Sequence, residues 1–233
     1  MPNRVLRELV NGDKHGPLPA LLLALTAATG VVDAVSVLGL GRVFVANMTG
    51  NVVFVAFALA GVTGFSLAAS VIALLGFLAG AFLGGRLARL HTHRGRLLRN
   101  VALIELGLVT VAFLLSVFGV VLLVQAAVLA VAMGMQNSTA RRLAVPDLTT
   151  TVLTSTLSGF ASEIRRQGRV AAARRGLAVV AMFVGAVAGA TLLLHTRPAW
   201  ALAVAAVLIG LVAVTSAVRS RGEAPWQAVT SSS

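Results

Sequence analysis

Between Arg99 and Arg141 the chain runs for 41 residues with a single charged side chain, Glu105. A membrane-spanning helix needs about 20 predominantly apolar residues and must satisfy every backbone N–H and C=O internally. This stretch therefore predicts two membrane helices, at about 101–118 and 119–140, joined by a tight turn near Ser116 to Gly119. Six further apolar blocks lie at about 18–40, 43–60, 65–85, 148–162, 177–194 and 198–218. The composition agrees, with 58% hydrophobic and 11% charged residues in a chain of 233, where a soluble domain is roughly half apolar and a quarter charged. The absence of cysteine excludes disulfides, thiolate metal sites and a cysteine nucleophile. The first block exceeds the usual signal-peptide core of about 7 to 15 residues and is expected to be an uncleaved span.

The net charge is +12, and the 19 basic residues cluster between the blocks. That distribution orients a chain in a bilayer and argues against nucleic-acid binding. If all eight blocks cross, the basic residues divide ten to nine between the two sides. If the blocks at 43–60 and 148–162 dip in and return, the division is 17 to 2, with only Arg42 and Arg197 outside. Short cytoplasmic loops concentrate Lys and Arg, so the expected fold is an all-α membrane protein of six transmembrane helices plus two re-entrant half-helices. Both termini are then cytoplasmic. The expected divisions are an N-terminal segment at 1–17, a first membrane repeat at 18–118, a second at 119–218, and a disordered tail at 219–233.

The two repeats are visible in the residues themselves. Thr29-Gly30-Val31-Val32-Asp33 aligns with Met133-Gly134-Met135-Gln136-Asn137. With one residue inserted, Ala46-Asn47-Met48-Thr49-Gly50-Asn51 aligns with Thr151-Val152-Leu153-Thr154-Ser155-Thr156, and Gly76 and Gly80 align with Gly185 and Gly189. Three crossings per repeat is an odd number, so the second repeat is expected upside down relative to the first, the inverted topology found in many transporters. At these residues, and at Phe44-Val45-Ala46-Asn47-Met48-Thr49-Gly50-Asn51 and Thr149 to Thr154, the chain resembles the YoaK-type family of bacterial membrane proteins, a domain of unknown function. The resemblance runs from about Pro19 to Val218 and implies a multi-pass protein of the bacterial cytoplasmic (inner) membrane. It implies no substrate or reaction.

Function then rests on polar residues at membrane depth, which are costly to place there and usually serve a purpose. The turns at Asn47-Met48-Thr49-Gly50-Asn51 and at Thr149 to Thr156 are expected to start half-helices near midplane, where helix N-termini offer unpaired N–H groups to an anion. The expected substrate-binding residues are Asn47, Thr49, Gly50, Asn51, Gln136, Asn137, Thr151, Thr154, Ser155 and Thr156. Asp33, the one acid placed well inside a span, is the candidate for proton or cation coupling. The alternative reading for the Thr, Ser and Gly residues is back-bonding to helix carbonyls and close helix packing. Glu105 is expected to pair with Arg99, and Asp147 with Arg141 or Arg142. His91-Thr92-His93 has no neighbouring carboxylate and reads as a solvated loop, and no metal or cofactor is expected.

These features favour a small secondary transporter or channel for a small anion or carboxylate-bearing metabolite over a membrane-embedded enzyme on a lipid-like substrate, for which no nucleophile and base occur together. A structural or partner-binding membrane protein is the remaining option. The expected partners are the small-molecule or anion substrate and membrane lipids, with homo-oligomer formation left open.

Overall fold

The fold comes from a computed structural model, which describes residues 15–145, 148, 168–221 and 225–227. Among them are seven α-helices and no strand. They are α1 (Leu18–Gly39), α2 (Met48–Leu59), α3 (Leu67–Leu90), α4 (Arg94–Val117), α5 (Leu122–Leu143), α6 (Gly168–His195) and α7 (Pro198–Arg219). All but α2 are long and apolar enough to cross a membrane. The block at 148–162 and its expected half-helix lie almost wholly outside the described residues.

Local chemistry sets the boundaries. Pro198 opens α7 at a position where its missing N–H costs nothing. The Ser66 hydroxyl accepts from Ala69 N–H at 3.2 Å and caps α3. His93 Nδ1 does the same for Arg96 N–H at 3.2 Å and caps α4, while His91 bridges Leu87 O and the Asn100 amide. Both imidazoles thus hold helix ends. Gly119 takes a left-handed conformation at the α4–α5 turn, where Cβ would be unfavourable.

Helix packing depends on glycine. A side chain at Gly30 would strike the backbone of Met182 and Ala186, and one at Gly185 the carbonyl of Ala27. The same relation joins Gly134 to Phe77 and Ala81, and Gly80 to Val131. Thus α1 lies backbone to backbone along α6, and α3 along α5, each pair running parallel. Between these pairs α4 packs antiparallel to α7, with Gly95 beside Ser220 and Gly210 beside Leu106. Contacts of α1 with α7 and of α4 with α5 close the bundle. It is Gly80 and Gly84, one helical turn on from the aligned Gly76 and Gly80, whose contacts resemble those of Gly185 and Gly189.

Arg94 marks one end of the bundle. Its guanidinium donates to the carbonyls of Leu143 and Trp226 and meets His15 Nδ1. Trp226 is 8% exposed and packs over Gly16 and Gly95. The tail expected to be disordered therefore contains an ordered turn, Pro225–Gln227, fixed by the burial of this indole. At the other end Gly39, Leu40, Ser116, residues 119–122 and Arg197 surround a cavity of about 340 Å³.

Candidate functional site

After α1 the chain reverses through Gly41 and Arg42, both with positive φ, and residues 43–47 then run without helical structure. Val43, Val45 and Ala46 are nonetheless buried. Irregular backbone in an apolar interior must find polar partners, and two side chains provide them. Asp33 Oδ1 accepts from Val45 N–H at 3.3 Å and from Ala46 N–H at 3.1 Å. Asn51 Oδ1 accepts from Phe44 N–H at 2.9 Å, and Asn51 Nδ2 donates to Phe44 O at 2.6 Å. Asp33 and Asn51 thus clasp the segment that leads into α2.

The helix starts at Met48, within the expected turn, so Asn47 takes the N-cap position. Its side chain makes no capping bond and is exposed. Asn47 lines two adjoining cavities. The smaller, about 350 Å³, is bounded by Asp33, Phe44, Ala46 and the α6 residues Met182, Ala186 and Ala190. The larger, about 610 Å³, is bounded by Phe44, the first turns of α2 from Met48 to Phe54, Phe77 of α3, and Asn137 and Arg141 of α5. The first-turn N–H groups of α2 have no intrahelical partner. The first-turn residues Met48, Thr49 and Gly50 line this cavity together with Arg141, an exposed residue whose Nε donates to Asn137 Oδ1 at 3.1 Å. A helix N-terminus and a full cation therefore share one cavity wall.

The predicted residues separate into groups. Asp33, Asn47, Thr49, Gly50 and Asn137 come together around the cavities. Asn51 lies in the same turn, but both polar atoms of its amide are engaged by Phe44. Gln136 turns toward α1 and donates to Thr29 Oγ1 at 2.7 Å, and its Oε1 has no partner among the described residues. Thr151, Thr154, Ser155, Thr156 and Asp147 lie outside the described residues. Thr26 and Thr29 back-bond to Leu22 and Leu25 carbonyls, which is the packing alternative weighed for such residues.

One residue was misread from the sequence. Glu105 is fully buried, and neither of its oxygens has a hydrogen-bond partner among the described residues, while Arg99 donates to Asn100. The reason is that α4 begins at Arg94, which carries Glu105 three turns into the helix, and six residues of separation turn Arg99 to another face. Arg141 was expected as one of two pairing partners for Asp147, which lies outside the described residues, and its bond to Asn137 was not foreseen. Its spacing of four from Asn137, which puts both on one helix face, was the available signal.

The family described as Protein of unknown function (DUF1275) matches residues 21–215. The chain is 32% identical over 151 residues to UPF0700 transmembrane protein YoaK of Bacillus subtilis (strain 168), a stretch covering 61% of this chain and 64% of that relative. The chain thus spans just under two thirds of the relative it matches. No solved structure matches.

Proposed function

This chain belongs to the DUF1275 family, whose description carries no activity, and from its geometry we propose that it is a small secondary transporter or channel for an anion or carboxylate-bearing metabolite. The observation that carries the reading is the 610 Å³ cavity whose lining brings the exposed Arg141 and the first turn of α2 together at the side of an apolar bundle. Arg141 offers a planar fork of donors suited to a carboxylate. Asn47, Thr49 and Asn137 add neutral hydrogen-bonding groups, and Asp33, whose Oδ1 alone is hydrogen-bonded among the described residues, is the coupling candidate beside the smaller cavity.

The architecture proposed around this site is a pair of inverted repeats, each of three spans and a re-entrant segment. Support comes from the reciprocal glycine contacts. Gly134 follows Gly30 by 104 residues, and its contacts Phe77 and Ala81 precede those of Gly30, Met182 and Ala186, by 105. Exchanging α1, α3 and α4 for α5, α6 and α7 maps the main helix pairings onto one another. Support for re-entry at 43–60 comes from the ends of the helices. Leu40 lies at the end opposite Arg94, and α3 runs toward Arg94, so the chain leaves α1 and enters α3 at the same end. In this arrangement the pairs α1–α6 and α3–α5 are the stiff bodies that move against each other around the site.

Uptake of radiolabelled small carboxylates into proteoliposomes tests the proposal. Saturable uptake that Arg141→Gln reduces at least about tenfold, the loss expected for a charge-assisted pair, supports it. The absence of uptake and of any anion binding by intact protein refutes it.

A further inference from the structure

Resting on the site just proposed, we infer that its substrate is an organic monocarboxylate with a flat apolar body, of the aryl or arylalkyl carboxylate class, in preference to an inorganic anion or a small hydrophilic acid. The distribution of aromatic residues carries the inference. The chain has ten Phe, two Trp and no Tyr in 233 residues. Five of those ten Phe fall between residues 44 and 77, and three of them, Phe44, Phe54 and Phe77, line the cavity that holds Arg141. Elsewhere the bundle is built largely from Leu, Val, Ala and Gly. The rings form an ordered ladder. Phe44 and Phe54 stack with centroids 5.7 Å apart and 15° between planes, and Phe54 continues to Phe65 at 4.8 Å. Gly50 makes the first step possible, because a Cβ there would lie 2.7 Å from the Phe44 ring.

Charge and volume narrow the class further. Among the described lining residues of this cavity there is one cation, Arg141, and no acid. With the α2 N-terminus this matches one carboxylate. A volume of about 610 Å³ is in the range of organic-ligand sites, and an inorganic ion would leave most of it to water against Phe rings. A flat apolar group instead gains burial and offset stacking, both favourable at ring separations of about 4.5–7 Å. The carboxylate end binds at Arg141 and the ring end against Phe54 and Phe77.

The test is equilibrium binding to the full chain in lipid nanodiscs, with acetate, benzoate and benzamide as probes. Benzoate is expected to bind at least about tenfold more tightly than either acetate or benzamide. Phe54→Ala should collapse the benzoate-to-acetate ratio, and Arg141→Gln should weaken both acids. Phe77→Leu, on a separate helix, gives the same readout if Phe54→Ala does not fold. Equal affinity for acetate and benzoate overturns the substrate class and leaves the anion site standing. Benzamide binding as tightly as benzoate overturns the role given to Arg141. Binding of neither acid overturns the site and this inference together.

Discussion

A carboxyl group inside an apolar helix needs partners, and Asp33 finds them in backbone N–H groups of its own chain at Val45 and Ala46. Asp33→Asn keeps an acceptor of the same size, so the variant should fold with an unchanged thermal midpoint. Asp33→Leu leaves two buried N–H groups without partners, at about 1–3 kcal/mol each. It should lower the midpoint and accelerate hydrogen exchange at Val45 and Ala46. If Asp33 also couples protons, Asp33→Asn abolishes the response of uptake to a pH gradient and spares binding, and an unchanged response leaves Asp33 a positioning residue only. Glu105 is the opposite case, a buried side chain with no partner among the described residues. Glu105→Leu keeps the volume and removes the unsatisfied group, and should raise stability by about 1–3 kcal/mol. A lowered midpoint would contradict this. The burial of Asp33 was legible from its apolar neighbours, but its partners, twelve and thirteen residues away across an irregular turn, were not. The place of Arg141 beside the α2 N-terminus was not legible either, because it depends on how α2 sits against α5.

At the scale of elements, close packing makes glycine positions the sensitive ones. Gly80→Leu and Gly185→Leu each push a side chain into a neighbouring carbonyl, of Val131 and Ala27 respectively. Each should destabilise by at least about 1–3 kcal/mol, the usual cost of overpacking. Gly107 is exposed with open space around it, so Gly107→Leu should be neutral within about 0.5 kcal/mol. Matching thermal shifts at Gly80 and Gly185 are expected, and tolerance at either would contradict the packing described. The six long helices were legible as apolar blocks. Their polar ends were not, since α3 extends to Leu90 and α4 starts at Arg94, beyond the hydrophobic stretches. The register of the glycine repeat is ambiguous in the sequence for a related reason. Glycines spaced by four occur at 76, 80 and 84, so a shift of one turn gives an equally good sequence match, and only the contacts across the helix pair distinguish the two.

For the whole molecule, charge bias and internal repetition point to one arrangement, in which 17 basic residues share a side and the segment before α3 returns to the face it left. The helix directions favour the same reading, because Arg94 gathers the starts of α1 and α4 with the ends of α5 and α7. The chain has no cysteine, so single cysteines can be placed on an otherwise unreactive background. Thr63, Thr92 and Arg197 are exposed positions before α3, before α4 and before α7. Labelling these three single-cysteine variants in intact cells with a membrane-impermeant thiol reagent is the most direct test of the re-entrant, inverted architecture. Thr63→Cys and Arg197→Cys should label and Thr92→Cys should not. Labelling at Thr92 with protection at Thr63 would mean that residues 43–60 cross the membrane, and would contradict the account.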